Sequence, residues 1–412
     1  MRKLWTVIFL AASVACNISV EAQPPGFRFG KYNLTSEKRT ARIPFEPDMN
    51  HVIISAEVNG TPGVRLILDT GMPMPGLILV GNESVSQIDM GAVSEIAISD
   101  GVPGREPEKA LIAEDVTVRF PGLELTNITT IVEPAEGNLA AVMGGVDGII
   151  GLELFGQFAV TIDYDSHEIV LVEPGNFRKP AGAEDLLITI KNGLPWLECS
   201  AEMMGGAVVP VEMVVDLGAQ HALSLNAGTH EDLVPPDNAI DALLGRTVSG
   251  GIFGKVGRIK TLHLGGLMLR DVVSSFQTGP RHGPSALEKH GNLGNGVLRR
   301  FNVTFNYADQ RMTLVPNRYF KEPFEYNMSG VIHSVNQNEP VKIIGIVPGS
   351  PAAASDLGIG DIISSIDGRP CGEISRNELR KILTVEGADV RFEAISPDGT
   401  AKDVTLTLRR II

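Results

Sequence analysis

The run Val64-Arg-Leu-Ile-Leu-Asp69-Thr-Gly71 returns in altered form as Val211-Glu-Met-Val-Val-Asp216-Leu-Gly218. A lone Asp-x-Gly is a common turn signal, because Asp caps backbone amides and Gly tolerates positive φ. Two copies, each closing an apolar strand, point to two carboxylates built to meet. The repetition extends further. Ser55-Ala-Glu57 matches Ser200-Ala-Glu202, and Phe120-Pro-Gly-Leu-Glu-Leu125 matches Leu264-Gly-Gly-Leu-Met-Leu269. Gly148-Ile-Ile-Gly151 matches Gly291-Asn-Leu-Gly294, and Phe158-Ala-Val-Thr-Ile-Asp-Tyr164 matches Phe301-Asn-Val-Thr-Phe-Asn-Tyr307. For these further blocks the offset stays between 143 and 145 residues, in one order. A near-constant offset means a duplicated unit, so the fold must hold two copies of one lobe. The expected lobes are 43–175 and 183–317.

Within each lobe, apolar runs rich in Val, Ile and Thr are separated by Gly, Pro or Asn, which is the pattern of strands and turns. The chain uses 45 glycines, as expected where many turns need positive φ. Helical spacing is confined to a short helix over Asp237 to Leu244 and a turn at Leu152 to Gln157. The expected fold class is mainly β: two homologous barrel-like lobes, followed by a smaller β-rich module with two short helices.

Four elements occur in the same order in both lobes. They are the strand ending in Asp-x-Gly, a Gly-rich hairpin, a Gly-Leu-x-Leu strand, and an apolar-apolar-Gly element with a closing hairpin. This combination resembles aspartic proteases of the pepsin and retropepsin type, in particular the bacterial retropepsin-like group, over about 270 residues. The resemblance implies that Asp69 and Asp216 face each other across a pseudo-twofold axis and activate a water for peptide hydrolysis. Two adjacent carboxylates cannot both ionise cheaply, so one keeps a proton and the other serves as base. Gly71 and Gly218 would let the turns bend sharply so that backbone N–H groups reach the carboxylates. Thr70 would hydrogen-bond across the axis. Its counterpart Leu217 has no hydroxyl, which removes half of a symmetric clamp and leaves a catalytically inactive peptide-binding or scaffold protein as the rival reading. The hairpins Ser99-Asp-Gly101-Val102-Pro-Gly104 and Ser249-Gly-Gly251-Ile252-Phe253-Gly254 would be flaps that close over substrate. Both aspartates lie in one chain, so a monomer would suffice.

His221 has no His or Cys at metal-ligand spacing, and no Gly-x-Ser-x-Gly elbow supplies a nucleophile. No metal and no organic cofactor is expected, His221 reads as structural, and Cys199 reads as core packing.

The repetition stops near Phe324. Ile343-Ile-Gly-Ile-Val-Pro348-Gly-Ser-Pro351, continuing to Leu357-Gly-Ile-Gly360-Asp and Ile366-Asp-Gly368, resembles the PDZ domains of bacterial envelope proteases, over 324–412. Such domains take up an extended chain end as an added strand. By resemblance Ser329, Gly330, Val331 and Ile332 would hold a peptide, the first residues cradling its terminal carboxylate. A short helix is expected between Pro351 and Gly358. Ser375 and Glu378 have capping-box spacing, and Leu379, Ile382 and Leu383 share one helix face.

The N-terminus adds an address. Arg2 and Lys3, an apolar run from Leu4 to Ala15 and Val20-Glu-Ala22 fit a signal peptide over 1–22. Export to a bacterial periplasm or beyond is expected, with lipid anchoring through Cys16 as the alternative. Residues 23–42 would be a linker or propeptide. Only Cys199 and Cys371 remain in the mature chain, so no disulfide framework is expected. The formal net charge of −14 argues against nucleic acid as a partner. No later segment is apolar enough for a transmembrane helix. The expected partners are a peptide or protein substrate and, at the C-terminal module, protein C-termini.

Overall fold

The computed structural model describes residues 6–8, 27–36, 38–99, 107–135, 137, 143, 145–247, 250–278, 289–334 and 341–412. Strands dominate. The longest helix among the described residues is Arg376–Ile382.

Each lobe is built around its Asp-bearing strand. Thr61–Leu68 runs parallel to Gly148–Ile150, which pairs antiparallel with Leu77–Gly81, which in turn runs parallel to Leu123–Pro134. In the second lobe Val208–Asp216 runs parallel to Gly291–Gly294, which pairs antiparallel with Leu223–Asn226, itself parallel to Leu267–Gln277. The same pairings with the same directions recur, so the duplication in sequence is a duplication in topology. Where these strands cross in the first lobe, at 66–68, 77–80 and 148–150, every position is buried because both faces are covered. Leu66, Leu68, Leu77 and Leu79 enter the main core, while Ile67, Ile78 and Ile149 pack into a second cluster on the opposite face.

The lobes meet through the antiparallel pair Ala159–Asp163 and Phe301–Asn306. Val160 sits opposite Phe305, Thr161 opposite Thr304 and Ile162 opposite Val303. Thr161 and Thr304 lie 143 residues apart and their hydroxyls are 2.8 Å apart. Equivalent residues therefore face each other, which places the pseudo-twofold axis between them. Glu168–Val172 and Thr40–Asp48 extend this sheet on one side, Arg311–Pro316 and Glu184–Lys191 on the other. The segment Lys31–Leu34, within the expected linker or propeptide, pairs with Leu123–Thr126, and Phe27 and Leu34 are buried.

One expected element changes type. The short helix over Asp237 to Leu244 is absent, and Ile240–Thr247 is a strand paired with the long strand Gly250–Leu264, with a bulge between Leu243 and Gly245. Cross-strand pairing in a continuous hairpin overrides a local apolar spacing too short to specify a helix. The turn expected at Leu152 is one helical turn, Leu152–Phe155.

After the second lobe the chain is fastened by Arg300, which is 1% exposed. Its guanidinium donates to the carbonyls of Tyr319, Glu322 and Pro323 and lies 3.6 Å from the centre of the Phe324 ring. The C-terminal module is a sheet in the order Val331–His333, Val341–Ile346, Ile362–Ile366, Asp389–Ile395, Ala401–Thr407. Ile343, Ile363, Leu379, Leu383, Phe392 and Leu406 form its core. The helix Arg376–Ile382 has both hydrogen bonds of the Ser375–Glu378 capping box, and the element after Pro351 is a single 3-10 turn, Ala352–Ala354. Cys199 and Cys371 are both free thiols.

Candidate active site

Asp69 and Asp216 stand at the ends of equivalent strands, and each is fully buried. Each carboxylate accepts the N–H of the glycine two residues on: Gly71 to Asp69 at 2.6 Å and Gly218 to Asp216 at 2.9 Å. The Gly218 N–H also reaches Asp69 Oδ1 at 3.2 Å. One backbone donor shared by two carboxylates sets them side by side across the axis.

The clamp behind them is one-sided. The Thr70 hydroxyl donates to the Val215 carbonyl at 2.7 Å and accepts the Leu217 N–H at 2.9 Å. Leu217, fully buried, joins the main apolar core. A single hydroxyl thus ties the second turn to the first, and Leu217 contributes packing in place of the reciprocal bonds.

The glycines do more than bring their N–H groups to the carboxylates. Neither Gly71 nor Gly218 adopts a positive φ. A Cβ at Gly71 would lie 2.9 Å from Asp216 Oδ1, and one at Gly218 would lie 2.5 Å from Asp69 Cγ. Glycine is required for clearance: each turn passes so close to the opposite carboxylate that no side chain fits. Gly151 and Gly294 follow the same logic, since a Cβ there would strike the Asp69 and His221 carbonyls at 2.3 and 2.2 Å.

The electrostatics are unequal. Burial, and then the adjacent charge of Asp216, holds the Asp69 carboxyl well above the usual carboxylate range, against the lowering effect of the glycine N–H groups. Asp69 Oδ2 is buried without a hydrogen-bond partner. Asp216, by contrast, accepts on both oxygens, from Gly218 on Oδ1 and from the Asn292 side-chain amide on Oδ2 at 2.8 Å. Both Asp216 oxygens have donors while Asp69 Oδ2 has none, so the accounting of donors leaves the proton of the pair on Asp69.

Two supporting residues have no place in the sequence reading. Asn292 is 1% exposed and corresponds to Ile149 in the first lobe. An amide where the repeat has an apolar residue was a visible signal. His51 is 7% exposed, and its Nε2 lies 2.9 Å from the Gly218 carbonyl. A lone histidine on a hairpin gave no comparable signal. His221, expected to be structural, is half-buried with its Nε2 3.1 Å from Asn292 Oδ1. Burial pushes its imidazole below the ordinary value, against the pull of Asp216.

The flap tips are only partly seen. Val93–Ser99 pairs with Glu108–Phe120, but Gly101 and Val102 lie outside the described residues. Gly251, Ile252 and Phe253 continue the second hairpin, paired with Arg246, Gly245 and Leu243. In the C-terminal module Ser329, Gly330 and Val331 are buried and Ile332 is half-buried. The Ser329 N–H is taken by Asn327 Oδ1 and the Val331 N–H by Ser329 Oγ. Among the described residues, Val331–His333 is nonetheless an edge strand of its sheet. Cys16 and, apart from 6–8, the leader over 1–22 lie outside the described residues. Among the described residues no cluster of three or more His, Cys, Asp and Glu side chains could hold a metal ion, and no helix is long and apolar enough to cross a membrane.

Comparison with known proteins yields three findings. A search of curated proteins returns no match. Among solved structures, the aspartic proteinase from Irpex lacteus is similar to this chain with a TM-score of 0.44 and 12% identity, over 69% of this chain and 99% of that one. Residues 319–393 match the PDZ domain family model, and the chain therefore carries a PDZ domain at its C-terminal end.

Proposed function

We propose that this chain is an exported aspartic endopeptidase in which Asp69 and Asp216 hydrolyse peptide bonds. The observation that carries this reading is the Gly218 N–H shared between two fully buried carboxylates. Asp216, accepting on both oxygens, is the base: it takes a proton from a water lying between the pair as that water attacks the scissile carbonyl. Asp69, holding its proton, donates it to the developing oxyanion. Collapse of the tetrahedral diol then breaks the C–N bond, passing a proton from Asp216 to the leaving amine and returning a proton from a diol hydroxyl to Asp69, which restores the starting pair. Both carboxylates come from one chain, so a monomer suffices. Replacing Asp69 by Asn, or Asp216 by Asn, should each reduce cleavage of an unfolded protein substrate by about 10³-fold or more. Cleavage that survives either change at acid pH would sink the mechanism, and a folded wild-type protein that cleaves nothing from acid to neutral pH would leave the peptide-binding scaffold.

The PDZ domain, on this reading, docks peptide or protein C-termini beside the edge strand Val331–His333 by strand addition. A terminal carboxylate must then displace Asn327 and the Ser329 hydroxyl from the N–H groups they now occupy.

A further inference from the structure

Behind Asp216 lies a hydrogen-bonded chain that the first lobe lacks. Asn292 Nδ2 is 2.8 Å from Asp216 Oδ2, and Asn292 Oδ1 is 3.1 Å from His221 Nε2. The chemistry of the groups fixes every orientation. A carboxylate only accepts, so the amide must turn its NH₂ toward Asp216. Its oxygen then faces His221, whose Nε2 must carry the proton. At the equivalent point of the first lobe stands Ile149, buried in an apolar cluster and unable to donate, and Asp69 Oδ2 has no partner.

We infer that Asn292 and His221 are positioning residues that act on Asp216, making it the base of the pair and leaving the proton to Asp69. The inference rests on the proposed dyad and adds the reason why two carboxylates from equivalent strands take unequal roles. A donated hydrogen bond stabilises a carboxylate and not a protonated acid, so an amide held on one side only breaks the symmetry of the pair. His221 prevents the amide from turning over, because a flipped Asn292 would set its oxygen against Asp216 and its NH₂ against an N–H. The titratable groups around Asp216 are Asp69 on the opposite turn, His221 in its own loop, His51 on a hairpin of the first lobe and Tyr307 after the interlobe strand. Of these, only His221 reaches Asp216 through the amide.

The test is the pH profile of the full chain with Asn292→Leu, which copies the apolar character of the first lobe, and with His221→Leu and His221→Gln. Asn292→Leu should lower kcat about tenfold with KM within about twofold, and move the acid limb of kcat/KM upward by about one pH unit. His221→Leu should shift the limb in the same direction, and His221→Gln, which keeps a donor, should restore most of it. An unmoved acid limb in Asn292→Leu, or a Gln variant no better than the Leu variant, overturns the inference. A second readout needs no turnover: carbon-13 NMR titration of the Asp216 carboxyl, assigned by its loss in Asp216→Asn. If the wild type cleaves nothing but this carboxyl titrates higher in folded Asn292→Leu than in wild type, the relay stands and the protease reading falls. A carboxyl titration that Asn292→Leu leaves in place removes the relay itself.

Discussion

Thr70 ties the two aspartate turns together with one hydroxyl, donating to Val215 and accepting from Leu217. Thr70→Val keeps the shape of the side chain and removes both bonds, leaving the buried Leu217 N–H without its acceptor. An unmet buried donor costs about 1–3 kcal/mol on top of the lost bonds. Urea unfolding should therefore show Thr70→Val destabilised by about 2 kcal/mol or more and Thr70→Ser by well under half of that. Equal losses in the two variants would mean that the hydroxyl carries no load. At this scale the sequence was informative about identity and less so about cause. Asp69, Asp216 and the missing hydroxyl of Leu217 were legible because the repeat aligns them. The reason for Gly71 and Gly218 was not, since Asp-x-Gly suggests positive φ, and clearance from the opposite carboxylate appears only when two distant turns are brought together.

Among the elements, the helical turn Leu152–Phe155 does more than connect strands. Its Glu153 is fully buried and accepts N–H bonds from Gly30 and Gly76 and an amide bond from Gln157. It thereby fastens the N-terminal segment and the stretch following the first aspartate turn to the lobe. Burial pushes the Glu153 carboxyl from 4.5 up to about 7, against the lowering effect of these donors. Between those values the folded protein keeps a proton that the unfolded chain has released, so this group's contribution is full below pH 4.5 and declines as pH rises through 7. The decline is on the order of 3 kcal/mol. Glu153→Gln, which imitates the neutral acid, should flatten it. Unfolding free energies of both proteins at pH 4.5 and pH 8 check this, and parallel slopes would rule it out. The strands and capping box were readable because each is set by local pattern, whereas Asp237 to Leu244 was misread as helix because only its partner strand specifies the strand Ile240–Thr247. No local pattern announces that Glu153 is buried; two of its three donors, Gly30 and Gly76, come from distant stretches of chain.

Across the whole molecule, the hairpin between Thr40–Asp48 and His51–Val58 spans from the PDZ domain to the aspartate pair. On one side Asp48 accepts from Arg376 at 2.8 Å and from Asn377 at 3.0 Å, and the Met49 N–H donates to Asn377 Oδ1 at 3.1 Å. On the other, Asn50 donates to the Gln220 carbonyl, Asn295 donates to the Asn50 carbonyl, and His51 bonds the Gly218 carbonyl. The peptide N–H of Gly218 is the donor that both carboxylates share. Arg376 and Asn377 open the helix that packs on the PDZ core, so strain there has a short bonded route to the pair. Energy passes along such a route only as far as each link discriminates between two arrangements. The links at Asp48 are partly exposed, and each contributes about 1 kcal/mol. His51 acts on Gly218 directly. His51→Phe should therefore lower kcat by about ten- to a hundredfold, and Asp48→Ala with Asn377→Ala by no more than about tenfold. In the triple variant the losses should fall short of the product of the two, because His51 and Asp48 belong to one path. Fully multiplicative losses in kcat would show that the hairpin holds the PDZ domain in place without communicating with the aspartates.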